Sequence, residues 1–192
     1  MKTIAFAGAF SLCFLFSAIT ARPIFDITGK NDEGESELVL DVDGKELLTN
    51  ETYFVRSSTG GGLSLAFGGR SPKDVVQEPL PWQIGFPLKF TPVDNMDVVY
   101  ESTDLYIKFT PTPFLNSVWG FRFDPWFRGS LLTTGVDEAI FRLVKADGKF
   151  YKIVVCSSSC EALGVSYFDI FARRWLSRGG EPLYVQFVKA YP

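Results

Sequence analysis

The chain has 192 residues, of which 46% are hydrophobic and 16% aromatic, and its formal net charge is −3 at pH 7. This length is enough for one domain with a single substantial core. A charge so small and so evenly spread excludes the basic surface of a nucleic-acid-binding protein. The sequence contains no histidine, which excludes the hydrolase sites that use histidine as general base.

The first residues have the pattern of a secretory signal peptide. A lysine is followed by an apolar run from Ile4 to Ile19, and the segment ends in small residues. A buried core helix and a membrane anchor are the alternatives, but the run is too short and too N-terminal for an anchor of about 20 residues. We predict a signal peptide over 1–21, an exported chain with no membrane partner, and a flexible tail or propeptide over 22–37.

Beyond residue 37 the chain is a series of short β segments. Phe, Tyr, Val, Ile and Leu alternate with polar residues in short runs that end at Gly, Pro, Asn, Asp or Ser. The two-residue period is plainest in Leu105-Tyr106-Ile107-Lys108-Phe109. No long window has a helical stripe. Composition and periodicity therefore predict an all-β barrel or sandwich.

A hairpin motif opens this region. The segment from Val39 to Leu47 predicts a strand, an Asp43-Gly44 turn and a second strand, and Tyr53-Phe54-Val55 follows. This pattern resembles the N-terminal signature of the plant Kunitz proteinase inhibitors, the soybean trypsin inhibitor family. Later segments resemble that family's strands in one order as far as residue 189, among them Gly60-Gly61-Gly62-Leu63-Ser64-Leu65, Asp74-Val75-Val76-Gln77, Ser117-Val118-Trp119 and Tyr184-Val185-Gln186-Phe187.

The resemblance implies a fold and a mechanism. The fold is a β-trefoil over 38–192, with about twelve strands in three similar units. The family's usual work is to inhibit a serine protease through a rigid loop that offers its main chain as a substrate would, so that little entropy remains to be lost on binding. We expect a secreted or vacuolar monomer without a cofactor, whose partner is an extracellular or vacuolar protease.

The same resemblance places the reactive loop at 92–98. Its central residues are Asp94, Asn95, Met96 and Asp97, and the scissile bond would join Asn95 to Met96. The loop has no Lys or Arg to pair with the acid of a trypsin pocket, so strong trypsin inhibition is not expected. Asn95 suits an asparagine-specific protease, and Met96 a chymotrypsin-, elastase- or subtilisin-like pocket. The alternative is a non-inhibitory relative that serves as a storage, stress or partner-binding protein.

A glycosylation sequon, Asn50-Glu51-Thr52, lies in a predicted turn. In the family this turn is beside the reactive loop and braces it through an Asn side chain. Here Thr49 or Asn50 occupies that neighbourhood. We predict a glycan on Asn50, which would remove the brace and crowd an approaching protease.

Cys156 and Cys160, separated by three serines, remain once Cys13 has left with the signal peptide. In an exported protein they indicate a disulfide that closes a small loop. A metal site would need at least two more ligands, and a redox pair usually has two intervening residues. The resemblance makes this the family's second disulfide. The positions expected for the first, near Ser71-Pro72 and Phe114-Leu115, lack cysteine, so we expect the domain to depend more on its aromatic core.

No catalytic site is predicted. Carboxylate pairs such as Asp41 with Asp43 or Glu78 with Asp94 invite comparison with glycosidases, but turn and surface roles fit their context better. Gly60-Gly61-Gly62 lies between strands and does not open a helix, as a phosphate loop would. We therefore expect a protein that is not an enzyme.

Two further segments have open interpretations. The aromatic run from Trp119 to Phe127 is either an exposed docking patch or filling for the space left by the absent disulfide. Arg173-Arg174 is predicted to be a solvated strand start and is a candidate second basic site.

Overall fold

The structure, a computed structural model, describes residues 36–66, 73–110 and 117–191. All of them belong to the second of two compact units, Gly34–Pro192. The predicted signal peptide over 1–21, most of the predicted tail over 22–37, and the positions near Ser71-Pro72 and Phe114-Leu115 lie outside the described residues. The described part of the chain contains no helix, hence none long and apolar enough to cross a membrane.

Within the described ranges, thirteen strands follow one another in three units. The first unit contains β1 (Tyr53–Ser57), β2 (Leu63–Leu65), β3 (Lys73–Gln77) and β4 (Leu88–Pro92). The second contains β5 (Leu105–Phe109), β6 (Trp119–Asp124), β7 (Gly129–Thr134) and β8 (Phe141–Lys145). The third contains β9 (Tyr151–Cys156), β10 (Cys160–Phe168), β11 (Arg174–Arg178), β12 (Glu181–Pro182) and β13 (Tyr184–Lys189).

Six strands, two from each unit, close into a barrel. Around it, β1, β4, β5, β8, β9 and β13 each pair antiparallel with the next, and β13 returns to β1. Along β4 and β5 buried residues alternate with half-buried ones, as the two-residue period predicted. Closure leaves the barrel strands without a free edge.

Three hairpins cap one end of this barrel. They are β2–β3, β6–β7 and β10–β11, and their second strands pair in a triangle through the contacts Trp175 with Val76, Asp74 with Thr133 and Ser177 with Leu131. A six-stranded barrel with a triangular hairpin cap is the β-trefoil, so the predicted fold is confirmed. The two-residue strand β12, which pairs with β10, is the one strand beyond the expected four per unit.

The N-terminal hairpin covers the other end of the barrel. Its turn is as predicted: Gly44 has φ +78°, and the Asp41 carboxylate accepts the N–H groups of Asp43 and Lys45, both at 2.9 Å. Within the hairpin Leu40 bridges to Glu46, and the flanking residues Leu38 and Leu48 bridge to the chain before β5. Two residues of the hairpin itself, Val39 and Leu47, are completely buried.

Aromatic rings form two contact series in and beside the barrel core. Tyr53, Phe90, Phe187 and Tyr151 follow one another with ring centroids 5.3–6.4 Å apart. Phe86, Phe109, Trp119, Phe141 and Phe121 form the second series, with centroids 5.7–6.3 Å apart. Buried aromatic pairs in tilted or edge-to-face contact stabilise a core beyond their burial alone.

Replacing Trp119 by alanine should lower the free energy of unfolding by about 3–5 kcal/mol. Trp119 is completely buried, and its loss leaves a cavity between Phe109 and Phe141. Trp126→Ala is the matched control: Trp126 is 98% exposed, so this change should stay within about 0.5 kcal/mol. Urea unfolding followed by circular dichroism gives both values, and equal losses in the two variants would contradict the placement of Trp119 in the core.

Candidate functional site

The predicted reactive loop lies at the barrel end opposite the cap. The chain leaves the cap at β3, runs along β4 to this end and returns along β5 to β6. Asp94, Asn95 and Asp97 are exposed on the loop, and Met96 is half-buried. The structure therefore brings the four predicted residues together at one accessible end of the barrel.

The loop begins with a tight turn. The Asn95 N–H donates to the Pro92 carbonyl at 3.3 Å, and Asn95 has φ +53°. This left-handed conformation is rare outside glycine, and asparagine is among the residues that tolerate it best. An extended main chain has a negative φ. At Asn95 the backbone therefore departs from the extended course of a bound substrate.

Hydrogen bonds hold the loop on both sides. On the downstream side the Asp97 carbonyl accepts the N–H of Thr49 at 2.9 Å and its hydroxyl at 3.2 Å. Leu48 bridges to Val98 beside this contact. On the upstream side the Val93 N–H donates to the carbonyl of Asp104 at 2.9 Å. The brace predicted at Thr49 or Asn50 is thus made by Thr49.

Asn50 is exposed in the adjoining turn and lines the same surface cleft, of about 340 Å³, as Asn95, Met96 and Asp97. A glycan there would stand beside the loop. It would leave the brace in place, because the bracing atoms belong to Thr49, so the predicted loss of the brace has no structural basis. Occupancy of the sequon stays a prediction.

Two lysines line the cleft below the loop, and the sequence analysis missed them. Lys89 on β4 and Lys108 on β5 are directly opposite each other in the ladder. The signal was available, because both are polar positions of alternating strands on either side of the predicted loop. The acidic loop, with Asp94 and Asp97, is therefore next to a cleft whose wall carries two basic side chains.

The other sequence predictions concern residues away from the loop. The Cys156–Cys160 disulfide is confirmed; it links paired positions across the turn between β9 and β10, with Cα atoms 4.0 Å apart. Glu78 is buried and accepts a hydrogen bond from the hydroxyl of Ser64. Within the described ranges, no group of three or more Cys, Asp or Glu side chains is arranged to hold a metal ion.

The aromatic run from Trp119 to Phe127 divides between core and surface, and its proposed role in place of the absent disulfide stays a prediction. Trp119 is completely buried, and Phe121 packs against the core. Phe123 and Trp126 are exposed. Trp119, Phe121 and Phe123 lie on one face of β6, and burial of this face decreases toward the end of the strand; Trp126 lies in the turn that follows.

The prediction for Arg173 is wrong. This residue is 4% exposed rather than solvated, and its guanidinium pairs with the Asp169 carboxylate at 2.7 Å. Asp169 also accepts the backbone N–H groups of Arg173 and Phe171, which closes the turn before β11. Arg174 is half-buried and donates to the hydroxyl of Thr59 at 2.8 Å. The pair is part of the fold, because a carboxylate four residues upstream draws Arg173 inward.

Comparison with known proteins gives one family. The legume Kunitz family model, described as trypsin and protease inhibitor, matches residues 39–189. Kunitz trypsin inhibitor 5 of Arabidopsis thaliana is 32% identical over a match that covers 85% of this chain and 91% of that protein. The solved structure of soybean trypsin inhibitor is 25% identical with a TM-score of 0.71, over 80% of this chain and 100% of that one.

A second solved structure shares the fold. It is the water-soluble chlorophyll protein from Brassica oleracea var. Botrytis with chlorophyll b, which is 24% identical with a TM-score of 0.70 over 81% of this chain and 99% of that one. At this identity the likeness shows the fold alone.

Asp169→Asn should remove an acid-sensitive part of the stability. Burial alone would raise the pKa of Asp169, but its hydrogen bonds from the Arg173 guanidinium and from two backbone N–H groups hold this pKa below its usual range. A carboxyl group with a lowered folded-state pKa stabilises the fold above its unfolded pKa of about 3.9, and the stabilisation is lost as the pH falls through the folded value. Wild type should exceed the variant by about 1–3 kcal/mol near neutral pH. In urea unfolding this difference should shrink below about pH 4; a difference independent of pH would exclude the charged pair as its source.

Asn95→Gly should be as stable as wild type, whereas Asn95→Val should lose about 1–2 kcal/mol, because a β-branched residue is strained in the left-handed region. Asp94→Val is the matched control in the same exposed turn and should stay within about 0.5 kcal/mol. Thermal unfolding compares the three variants. If Asn95→Val matches wild type, the backbone at Asn95 is extended in solution.

Proposed function

This chain belongs to the legume Kunitz family of trypsin and protease inhibitors, and from that membership we propose that it inhibits a protease other than trypsin through the loop between β4 and β5. The observation that carries the proposal is an exposed loop, held on both sides, that has no Lys or Arg. We further propose that the protein is secreted or vacuolar and performs no catalysis of its own.

Preorganisation is the physical basis of the proposed inhibition. The contacts of Val93 with Asp104 and of Thr49 with Asp97 fix both ends of the loop. Fewer main-chain conformations are then lost when a protease binds. A single side chain that enters the specificity pocket would supply much of the affinity.

The loop chemistry restricts the target. A trypsin pocket needs a cation for the carboxylate at its base, and Asp94 and Asp97 add negative charge on either side of the candidate anchors. Asn95 offers a neutral amide and Met96 a flexible apolar chain. These side chains fit an asparagine-specific protease and a chymotrypsin-, elastase- or subtilisin-like pocket, respectively.

A second candidate function is non-inhibitory, as a storage, stress or partner-binding protein. The φ of +53° at Asn95 favours it, because a protease would have to draw this residue into an extended conformation. The exposed sequon at Asn50 favours it as well, since a glycan there would crowd the loop. The fold alone does not decide, because one scaffold can carry unrelated functions.

The deciding experiment is an inhibition panel. Wild type and Asn50→Gln are titrated against trypsin, chymotrypsin, elastase, subtilisin and an asparagine-specific protease. We expect weak or no inhibition of trypsin and inhibition of at least one other protease, with slow cleavage mapped by mass spectrometry to the 92–98 loop. If no protease is inhibited by either form, the non-inhibitory function is the correct one.

An arginine should redirect the loop toward trypsin. In the Asn50→Gln background, Asn95→Arg should tighten trypsin inhibition by about fivefold or more, because an anchor residue contributes roughly 2 kcal/mol and left-handed strain opposes it by roughly 1 kcal/mol, which leaves roughly 1 kcal/mol. Glu181→Arg, an exposed site in the third unit, is the control and should have no effect. If the Asn95→Arg protein folds but does not inhibit trypsin, the loop is not held in a substrate-like shape.

A further inference from the structure

A cavity opens on the outer side of the hairpin cap. Its volume is about 400 Å³, and it is lined by Asp124, Trp126, Phe127, Leu131 and Trp175. Leu176 points into the core, so its neighbour Trp175 faces outward. A volume of this order is within the range of small-molecule sites. The cavity is at the opposite end of the barrel from the β4–β5 loop.

The wall that carries Trp126 is rigid although its indole is uncovered. One oxygen of the Asp124 carboxylate accepts the backbone N–H groups of Trp126 and Phe127, both at 3.0 Å. These bonds fix the turn between β6 and β7. The Trp126 side chain is 98% exposed. A large exposed aromatic ring on a fixed turn beside a cavity is available to contact a ligand.

The charge beside the cavity is negative. The Arg122 guanidinium forms two hydrogen bonds to Asp74, at 2.7 and 2.8 Å, and one to Asp124 at 2.9 Å. Two carboxylates and one guanidinium leave one net negative charge. The N–H of Phe127, followed by Arg122 and the N–H of Trp126, holds the pKa of Asp124 below its usual range despite partial burial.

No cation is among the lining residues described, and Arg128, exposed in the next position of the turn, does not line the cavity. A carboxylate or phosphate ligand would be repelled by the negative charge of Asp124. A neutral ligand would gain the burial of its apolar surface and nothing from the charge. A cation gains from the carboxylate and from the faces of the two indoles.

We propose that this cavity binds an organic cation with a compact apolar body, such as a quaternary ammonium or an alkylated amine. Trp126 and Trp175 supply aromatic faces, Phe127 and Leu131 the apolar wall, and Asp124 the charge. The site is independent of protease binding, because no residue of it belongs to the β4–β5 loop or to the hairpin that braces the loop.

The test compares choline with 3,3-dimethylbutan-1-ol, a neutral molecule of nearly the same shape. Dissociation constants come from calorimetry, and the indole N–H signals of the four tryptophans report the location by NMR. Choline should bind about fivefold or more tightly than the neutral alcohol. It should shift the signals of Trp126 and Trp175 and leave those of Trp82 and Trp119 in place.

Variants separate the two sources of affinity. Trp126→Ala should weaken choline binding by about fivefold or more, whereas Trp82→Ala, a tryptophan that is 73% exposed but not part of the cavity, should have no effect. Asp124→Asn should weaken binding of choline and not of the alcohol. If this variant disturbs the turn, Asp74→Asn removes the same net charge without touching the turn.

Three results would each overturn the proposal. They are equal affinity for choline and the alcohol, equal effects of Trp126→Ala and Trp82→Ala, and the absence of any cation-dependent shift of Trp126 at millimolar choline.

Discussion

Two tyrosine hydroxyls attach the N-terminal hairpin to the barrel, and the candidate site depends on this attachment. The rings of Tyr53 and Tyr151 belong to the aromatic core, while their hydroxyls accept the N–H groups of Leu48 and Leu40, both at 2.9 Å. The hairpin so held continues into Thr49, whose N–H and hydroxyl bind the Asp97 carbonyl. The core thereby fixes a surface loop through one intermediate element, which is how a rigid scaffold positions a binding segment.

The two ends of the barrel are built on different physical principles. At the end that the N-terminal hairpin covers, backbone hydrogen bonds hold a polar loop with charges of both signs nearby, and the side chains of Asp94 and Asn95 are exposed. At the cap end, a network of Arg122 with two aspartates holds a turn whose aromatic side chains remain uncovered. The two ends therefore expose different chemistry, a braced polar loop at one and uncovered aromatic rings beside a carboxylate at the other.

The sequence alone was enough to predict features that depend on residues close together in the chain. Examples are the Asp43-Gly44 turn, the alternation along β5 and the pairing of two nearby cysteines. The β-trefoil itself came from a family resemblance, because no internal repeat shows the three units in the residues. The error at Arg173 has a near cause, its ion pair with Asp169 four residues upstream, which the sequence analysis did not consider. The facing of Lys89 and Lys108 is non-local, because it depends on strand register. The left-handed backbone at Asn95 is a property of the folded loop that an asparagine permits but does not require.

The pairing of β1 with β13 has a consequence for how the molecule is made. It joins Tyr53 to Lys189, so the first barrel strand finds its partner only after nearly the whole domain has been synthesised. Until then β1 has an unpaired edge, while the local hairpins of the cap can already form. Tyr53 contacts Phe90, which in turn packs against Phe187 of the last strand, so this ring series is complete only when β13 is in place. The loop between β4 and β5 emerges early from the ribosome, but its brace at Thr49 follows a hairpin that Tyr151 of the third unit helps to attach.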